Sequence, residues 1–262
     1  MSRSGQHPVI DWIYHQFNDD RTFFNYMKLP IDNSFQTRSQ YYFNEDKYFH
    51  ILNNNWAKYG VLDEKLKEFK PETTELWKQI ETKNKNLLMM NFENIDFTAP
   101  VISISLDKEV NSFSNIKNVL IVRDIFNYLA SKIKMGRHFY PETNLACWKI
   151  HAREYLGITN VLPNKVLVNF NKWVQDIEYK KLICKQLDCD LFLPEWYQVS
   201  SFGGGSSFDH QQLNGQANKM KVLERWREYK DNKVFTDFLK DKELIELSEA
   251  IFGVIPGTET FK

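Results

Sequence analysis

The sequence is poor in the features that most often identify a protein at sight. It has three cysteines, Cys147, Cys184 and Cys189, an odd number at no metal-like spacing, so neither a disulfide framework nor a zinc knuckle is indicated and reduced thiols are expected. Lys and Arg total 34 against 34 Asp and Glu, and a formal net charge of +0 gives no field that would draw nucleic acid or an anionic membrane. No apolar run approaches the roughly 18 residues of a membrane span, and Val119 to Val122 is typical of the longest. There is no signal-peptide pattern and, despite many asparagines, no Asn-x-Ser/Thr acceptor, which together point to a cytoplasmic protein. The pattern GxxxxGK[ST] is missing as well, which disfavours an ordinary ATPase or GTPase. The scattered histidines and cysteines imply no metal.

What is present is core-forming material. With 42% hydrophobic and 15% aromatic side chains over 262 residues, the chain can bury a sizeable core as a single domain, 1–262. Val9 to Phe17 has the apolar stripe of an amphipathic helix, with Pro8 suited to its first turn. Residues 18 to 60 are polar, rich in Asn and Tyr and weakly periodic, and are expected to form loops and short helices. Residues 61 to 85 are expected to be helical in part. LLMMNF (87–92), VISISL (101–106), NVLIV (118–122) and KVLVNF (165–170) have the length and composition of strands. Between and after them, RDIFNYLASKIKMG, ETNLACWKIHAREYLG, NKWVQDIEYKKLICKQLD, ANKMKVLERWREYK and DKELIELSEAIFG read as helices. Strands alternating with helices predict an α/β fold, a mostly parallel sheet with helices on both faces. Residues 200 to 216, SSFGGGSSFDHQQLNGQ, are the clearest loop.

In such a sheet, ligands bind beyond the carboxyl ends of the strands, where loops run into helix N-termini. Ser4, Gly5, Gln6 and His7 lie just ahead of the first helix, where backbone N–H groups and the helix dipole favour an anion. Arg123 directly follows a strand, and Ser131 lies eight residues on in the next helix, so a guanidinium fork and a hydroxyl can converge on one phosphate. Three consecutive glycines at 203–205 cost chain entropy that a close backbone approach would offset.

An RSG turn at the start, RDxxNxxxS after an interior strand and a late Gly/Ser-rich loop together resemble the sulfotransferase family. The resemblance implies a P-loop-type three-layer sandwich and 3′-phosphoadenosine 5′-phosphosulfate as donor. It also implies a first strand ahead of the opening turn, which this sheet is expected to lack or truncate, and an acceptor side and lid in residues 18 to 86. By resemblance, Arg3, Ser4, Gly5, Gln6 and His7 hold the 5′-phosphosulfate, with Arg3 at the leaving oxygen. Arg123 and Ser131 hold the 3′-phosphate, and Gly203, Gly204, Gly205, Ser206 and Ser207 approach the nucleotide as a loop. The basic pattern of that loop in cytosolic members is missing here. Phe208 or Trp56 is a candidate for stacking on the adenine.

A general base is useful to take the acceptor's proton. Glu93, at the end of LLMMNF, is the first candidate, because partial desolvation beside an anion site would raise its pKa. His7 is the second. His138, His151 and His210 are weaker. The implied activity moves a sulfuryl group to a hydroxyl or amine, a glycan being one candidate acceptor, without nucleic acid, membrane span or metal. Two alternatives stay open: a non-catalytic nucleotide- or glycan-binding protein on the same scaffold, and a P-loop kinase-like phosphotransferase.

Overall fold

The computed structural model describes residues 5–17, 21–27, 37–43, 47–53, 61–63, 68–70, 87–92, 96, 117–136, 140–200 and 205–261. The chain divides into two compact units. The first is formed by both ends of the chain, 1–13 and 117–262, and the second by 14–116.

Among its described residues the second unit contains six strands: β1 (Arg21–Met27), β2 (Thr37–Phe43), β3 (Lys47–Asn53), β4 (Val61–Asp63), β5 (Glu68–Lys70) and β6 (Leu87–Phe92). Their order is β5-β4-β3-β2-β1-β6. Each neighbouring pair is antiparallel except β1 with β6, which runs parallel in a register that sets Phe23 against Met89. The expectation of loops and short helices over 18 to 60 is therefore corrected. RTFFNYM, TRSQYYF and KYFHILN carry the aromatic and β-branched residues that suit a pleated surface, and this preference outweighs their lack of a clean period of two. β2 and β3 pair in a register that ends with Phe43 opposite Lys47. LLMMNF is a strand as expected, whereas VISISL lies outside the described residues.

The first unit begins with α1 (Gln6–Tyr14), which buries Val9, Ile10, Trp12 and Ile13. Its two strands, β7 (Asn118–Val122) and β8 (Lys165–Asn169), pair in parallel, with Val122 opposite Asn169. A parallel pair needs a long crossover. Here it is supplied by α2 (Ile125–Met135) and α3 (Pro141–Tyr155). Asp124 caps α2 by accepting the Asn127 N–H at 2.8 Å, and Gly136 ends it at φ +62°, as its place after the apolar stripe predicts. The stretch expected as one helix after β8 is instead two, α4 (Phe170–Gln175) and α5 (Ile177–Leu187). Asp176 takes an extended conformation between them and accepts the Tyr179 N–H at 3.0 Å, the local hydrogen bond by which an Asp competes with the helix.

α6 (Lys233–Phe238) and α7 (Lys242–Phe252) complete the seven α-helices among the described residues. ANKMKVLERWREYK, expected as a helix, contains only two 3-10 turns, Ala217–Lys219 and Arg225–Tyr229. The core holds Trp12, Tyr128, Trp148, Phe126 and Phe235, each essentially inaccessible. The fold is thus α/β with a small parallel sheet in the unit that carries the candidate site. Among the described residues no helix is long and apolar enough to cross a membrane.

Candidate functional site

Strand pairing brings the first two site residues together. Because Val122 and Asn169 are in register, the residues that follow them, Arg123 and Phe170, leave the carboxyl ends of β7 and β8 at matching positions. The Arg123 guanidinium carbon lies 5.2 Å from the Phe170 ring centroid. Phe170 opens α4, whose N-cap Asn169 accepts the Lys172 N–H at 3.0 Å and donates to the Ile251 carbonyl at 3.2 Å, so the ring sits on a fixed turn. Gly5 closes against that ring. At φ +82°, a Cβ on Gly5 would lie 2.3 Å from Phe170 Cε2. The ring is buried and stacks on Trp173 with centroids 5.8 Å apart, so it has no room to retreat. Gly5→Ala is accordingly expected to cost about 2–4 kcal/mol through backbone strain and overpacking. A lowered urea midpoint at unchanged m-value checks it.

Arg123 is held at several points. Its Nη1 donates to Ser131 Oγ at 3.0 Å, its Nη2 donates to the Val222 carbonyl, and its own carbonyl accepts Trp148 Nε1–H at 3.0 Å. Its buried Nε makes no hydrogen bond among the described residues. The side chain is only 3% exposed. Burial above all, and next the charge of Arg225, push the guanidinium down to about 9, while Asp124 acts in the opposite direction. Arg123 is therefore a cation at neutral pH whose charge the surroundings compensate incompletely.

Arg225 was not singled out from the sequence, yet it joins this site to the Gly/Ser-rich loop. Its Nη2 donates to Ser206 Oγ at 2.8 Å and to Asp209 Oδ2 at 2.9 Å, and its guanidinium carbon lies 4.7 Å from the Phe208 ring centroid. Lys134 of α2 lies over the same ring, 5.5 Å from its centroid. The loop is a closed turn. Ser206 and His210 exchange backbone hydrogen bonds at 3.1 and 3.0 Å, and Ser206 Oγ also accepts the Phe208 and Asp209 N–H groups. Gly205, at φ +82°, has no space for a Cβ, which would lie 2.7 Å from the His210 carbonyl oxygen. Upstream of Arg225, the Leu223 carbonyl accepts Asn127 Nδ2–H at 3.0 Å, and downstream the Trp226 N–H donates to Asn127 Oδ1. Asn127, fixed by Asp124, thus sets the segment 222–226 beside Arg123.

Of the residues selected from the sequence, Gly5, Arg123, Ser131, Gly205 and Ser206 fall in this arrangement. Gln6 is buried and His7 half-buried, both in the first turn of α1, and Ser207 is half-buried beside Ser206. Arg3, Ser4, Glu93, Gly204, Gly203, Trp56 and His138 lie outside the described residues. Glu93 follows β6, a strand of the second unit. Phe208 packs with Arg225 and Lys134 and makes an edge contact with Tyr229 at 6.3 Å. His151 is buried in α3, and His210 is exposed in a left-handed turn conformation at φ +49°.

Phe170, Arg225 and Asp209 are the contributors that sequence reasoning missed. Only Phe170 had a readable signal, an aromatic residue at the same offset after β8 as Arg123 after β7. Among the described residues no group of three or more His, Cys, Asp and Glu side chains could hold a metal ion. Comparison with protein-family models, with curated proteins and with solved structures finds no match for this chain.

Proposed function

We propose that the first unit holds the donor site of a sulfotransferase, binding 3′-phosphoadenosine 5′-phosphosulfate and passing its sulfuryl group to a hydroxyl or amine. The observation that carries this reading is the pair of buried guanidinium groups, Arg123 and Arg225, at the carboxyl end of β7. Arg123 is left with an unsatisfied Nε and a charge that its surroundings penalise. A phosphate dianion supplies both the acceptor atom and the charge that Arg123 lacks. In this reading the 3′-phosphate takes Arg123, Ser131 and Arg225, and the 5′ end takes Arg3, Ser4, Gly5, Gln6 and His7. Sulfuryl transfer asks the protein mainly for in-line alignment and for donors at the bridging oxygen, a role that falls to Arg3. Glu93 and His7 are the proposed bases for the acceptor's proton. The P-loop-type sandwich belongs to the same proposal.

Calorimetry with adenosine 3′,5′-bisphosphate tests it. Micromolar binding is expected, weaker by about 10²-fold for adenosine 5′-phosphate and for Arg123→Ala, because either change removes a buried charge-assisted contact. Equal affinity for the two nucleotides, or no binding by a chain that still melts cooperatively, would overturn the donor-site reading. Binding without sulfuryl transfer to any tested hydroxyl or amine acceptor would instead support the non-catalytic alternative.

A further inference from the structure

The reactive potential of the first unit is not confined to its anion site. α5 ends at Leu187, and Asp188 follows in the left-handed conformation at φ +56°. The Cys189 N–H donates to the Cys184 carbonyl at 3.0 Å, and the Asp188 N–H to the Lys185 carbonyl at 3.4 Å. These two bonds define a Schellman turn, in which the side chain just beyond the turn packs against the one on the last full helical turn. That contact is ordinarily apolar. Here both positions are cysteine. Cys184 is buried, Cys189 is half-exposed, and both are free thiols.

We propose that Cys184 and Cys189 form a thiol–disulfide site that is oxidised by small-molecule disulfides and reduced again by thiols, independently of any activity at the Arg123 site. The backbone hydrogen bond from Cys189 back to Cys184 draws the two residues toward one another across the Schellman turn, the approach that a disulfide needs. The Cys189 S–H group also favours the thiolate on Cys184 and is itself pushed up, so the pair gives up its first proton from Cys184. One protein thiolate attacks a sulfur of the small disulfide, breaking that S–S bond and releasing one thiolate. The second protein thiol then loses its proton to solvent and attacks the mixed disulfide, releasing the other small thiol. In balance, two protein thiols are oxidised to one disulfide, and one small disulfide is reduced to two thiols.

The site is placed where its state reaches further into the unit. The segment leaving the turn offers its Leu193 carbonyl to Trp12 Nε1–H at 2.8 Å and its Pro194 carbonyl to Lys180 Nζ at 3.0 Å. Closing the disulfide fixes the start of this segment, which ties α1 and α5 together. Cys147 has no part in it, being buried in α3.

The full-length chain equilibrated in oxidised and in reduced glutathione, then quenched in acid, denatured and labelled with N-ethylmaleimide, tests the proposal by intact mass. Reduced protein is expected to take up three labels, and oxidised protein one, with no added glutathione. Lys185 separates the cysteines for trypsin, so the oxidised digest should show two peptides joined by one disulfide. Cys147→Ser should lower each count by one and leave the pair unchanged, whereas Cys189→Ser should keep two labels or carry one glutathione. Oxidation should also raise the melting temperature by about 5 °C, the effect of closing a short loop in a chain of this size. Three labels after oxidation, a bridge to Cys147 or between chains, or a fall in melting temperature would overturn the assignment.

Discussion

Glu154→Gln is expected to destabilise the first unit by about 3–5 kcal/mol, because it breaks a buried charge network while leaving its donors in place. The Glu154 carboxylate is fully buried near the end of α3. It accepts Thr159 Oγ1–H at 2.7 Å, the Val161 and Leu162 N–H groups at 3.0 and 3.1 Å, and Lys165 Nζ at 2.7 Å. These partners lie on the connection from α3 to β8 and on the first residue of that strand, so one side chain gathers the whole crossover exit. An amide keeps the shape but offers one acceptor oxygen and turns an N–H₂ group toward donors. Urea unfolding followed by tryptophan fluorescence measures the loss. The charge also sets a pH dependence. Burial would raise the Glu154 pKa, but Lys165, the Val161 N–H, the Thr159 hydroxyl and the Leu162 N–H outweigh it and hold the group at about 2. Since the folded value lies below the ordinary 4.5, the stabilisation is full above pH 4.5 and fades as pH falls toward 2. It amounts to about 3 kcal/mol at neutral pH. The difference in stability between wild type and Glu154→Gln should therefore shrink over that window, and a constant difference would refute the assignment.

The first unit was largely legible in the sequence because its signals are local. NVLIV and KVLVNF are continuous apolar runs of strand length, RDIFNYLASKIKMG carries both its stripe and its glycine stop, and each forms the expected element. Residues 18 to 60 failed because aromatic strands with mixed polar neighbours imitate irregular chain when only periodicity is read, and pairing across the sheet decides their state. The division into two units was also hidden, since a unit made from both ends of a chain leaves no boundary in composition. At the site, Arg123 and Ser131 could be found from their offset after β7. Arg225 could not, because its place depends on Asn127 gripping the segment around it from another part of the chain. Long-range tethering of that kind leaves no spacing to read.

Arg225 and Asp209 supply opposing effects at one ion pair, and this separates a binding role from a structural one. If the two guanidinium groups share an anion, Arg225→Met should weaken adenosine 3′,5′-bisphosphate by about 10²-fold, the usual cost of removing a desolvated charge contact. The unliganded protein should change in stability by no more than about 1 kcal/mol. Asp209 is 30% exposed and can turn to water when its partner is removed, while relief of the repulsion on Arg123 offsets the lost hydrogen bonds. Asp209→Asn should act in the other direction on affinity. It removes a carboxylate that competes with the phosphate for the Arg225 Nη2, and binding is expected to tighten by about threefold to tenfold. A purely structural ion pair predicts something else: both substitutions destabilise the loop at 205–210, and neither tightens an anion. Calorimetry and thermal melts on the two variants, each at low and moderate salt, decide between these. A structural pair moves both melting temperatures down together, whereas a shared anion site moves the two affinities apart and lowers the salt dependence only for Arg225→Met.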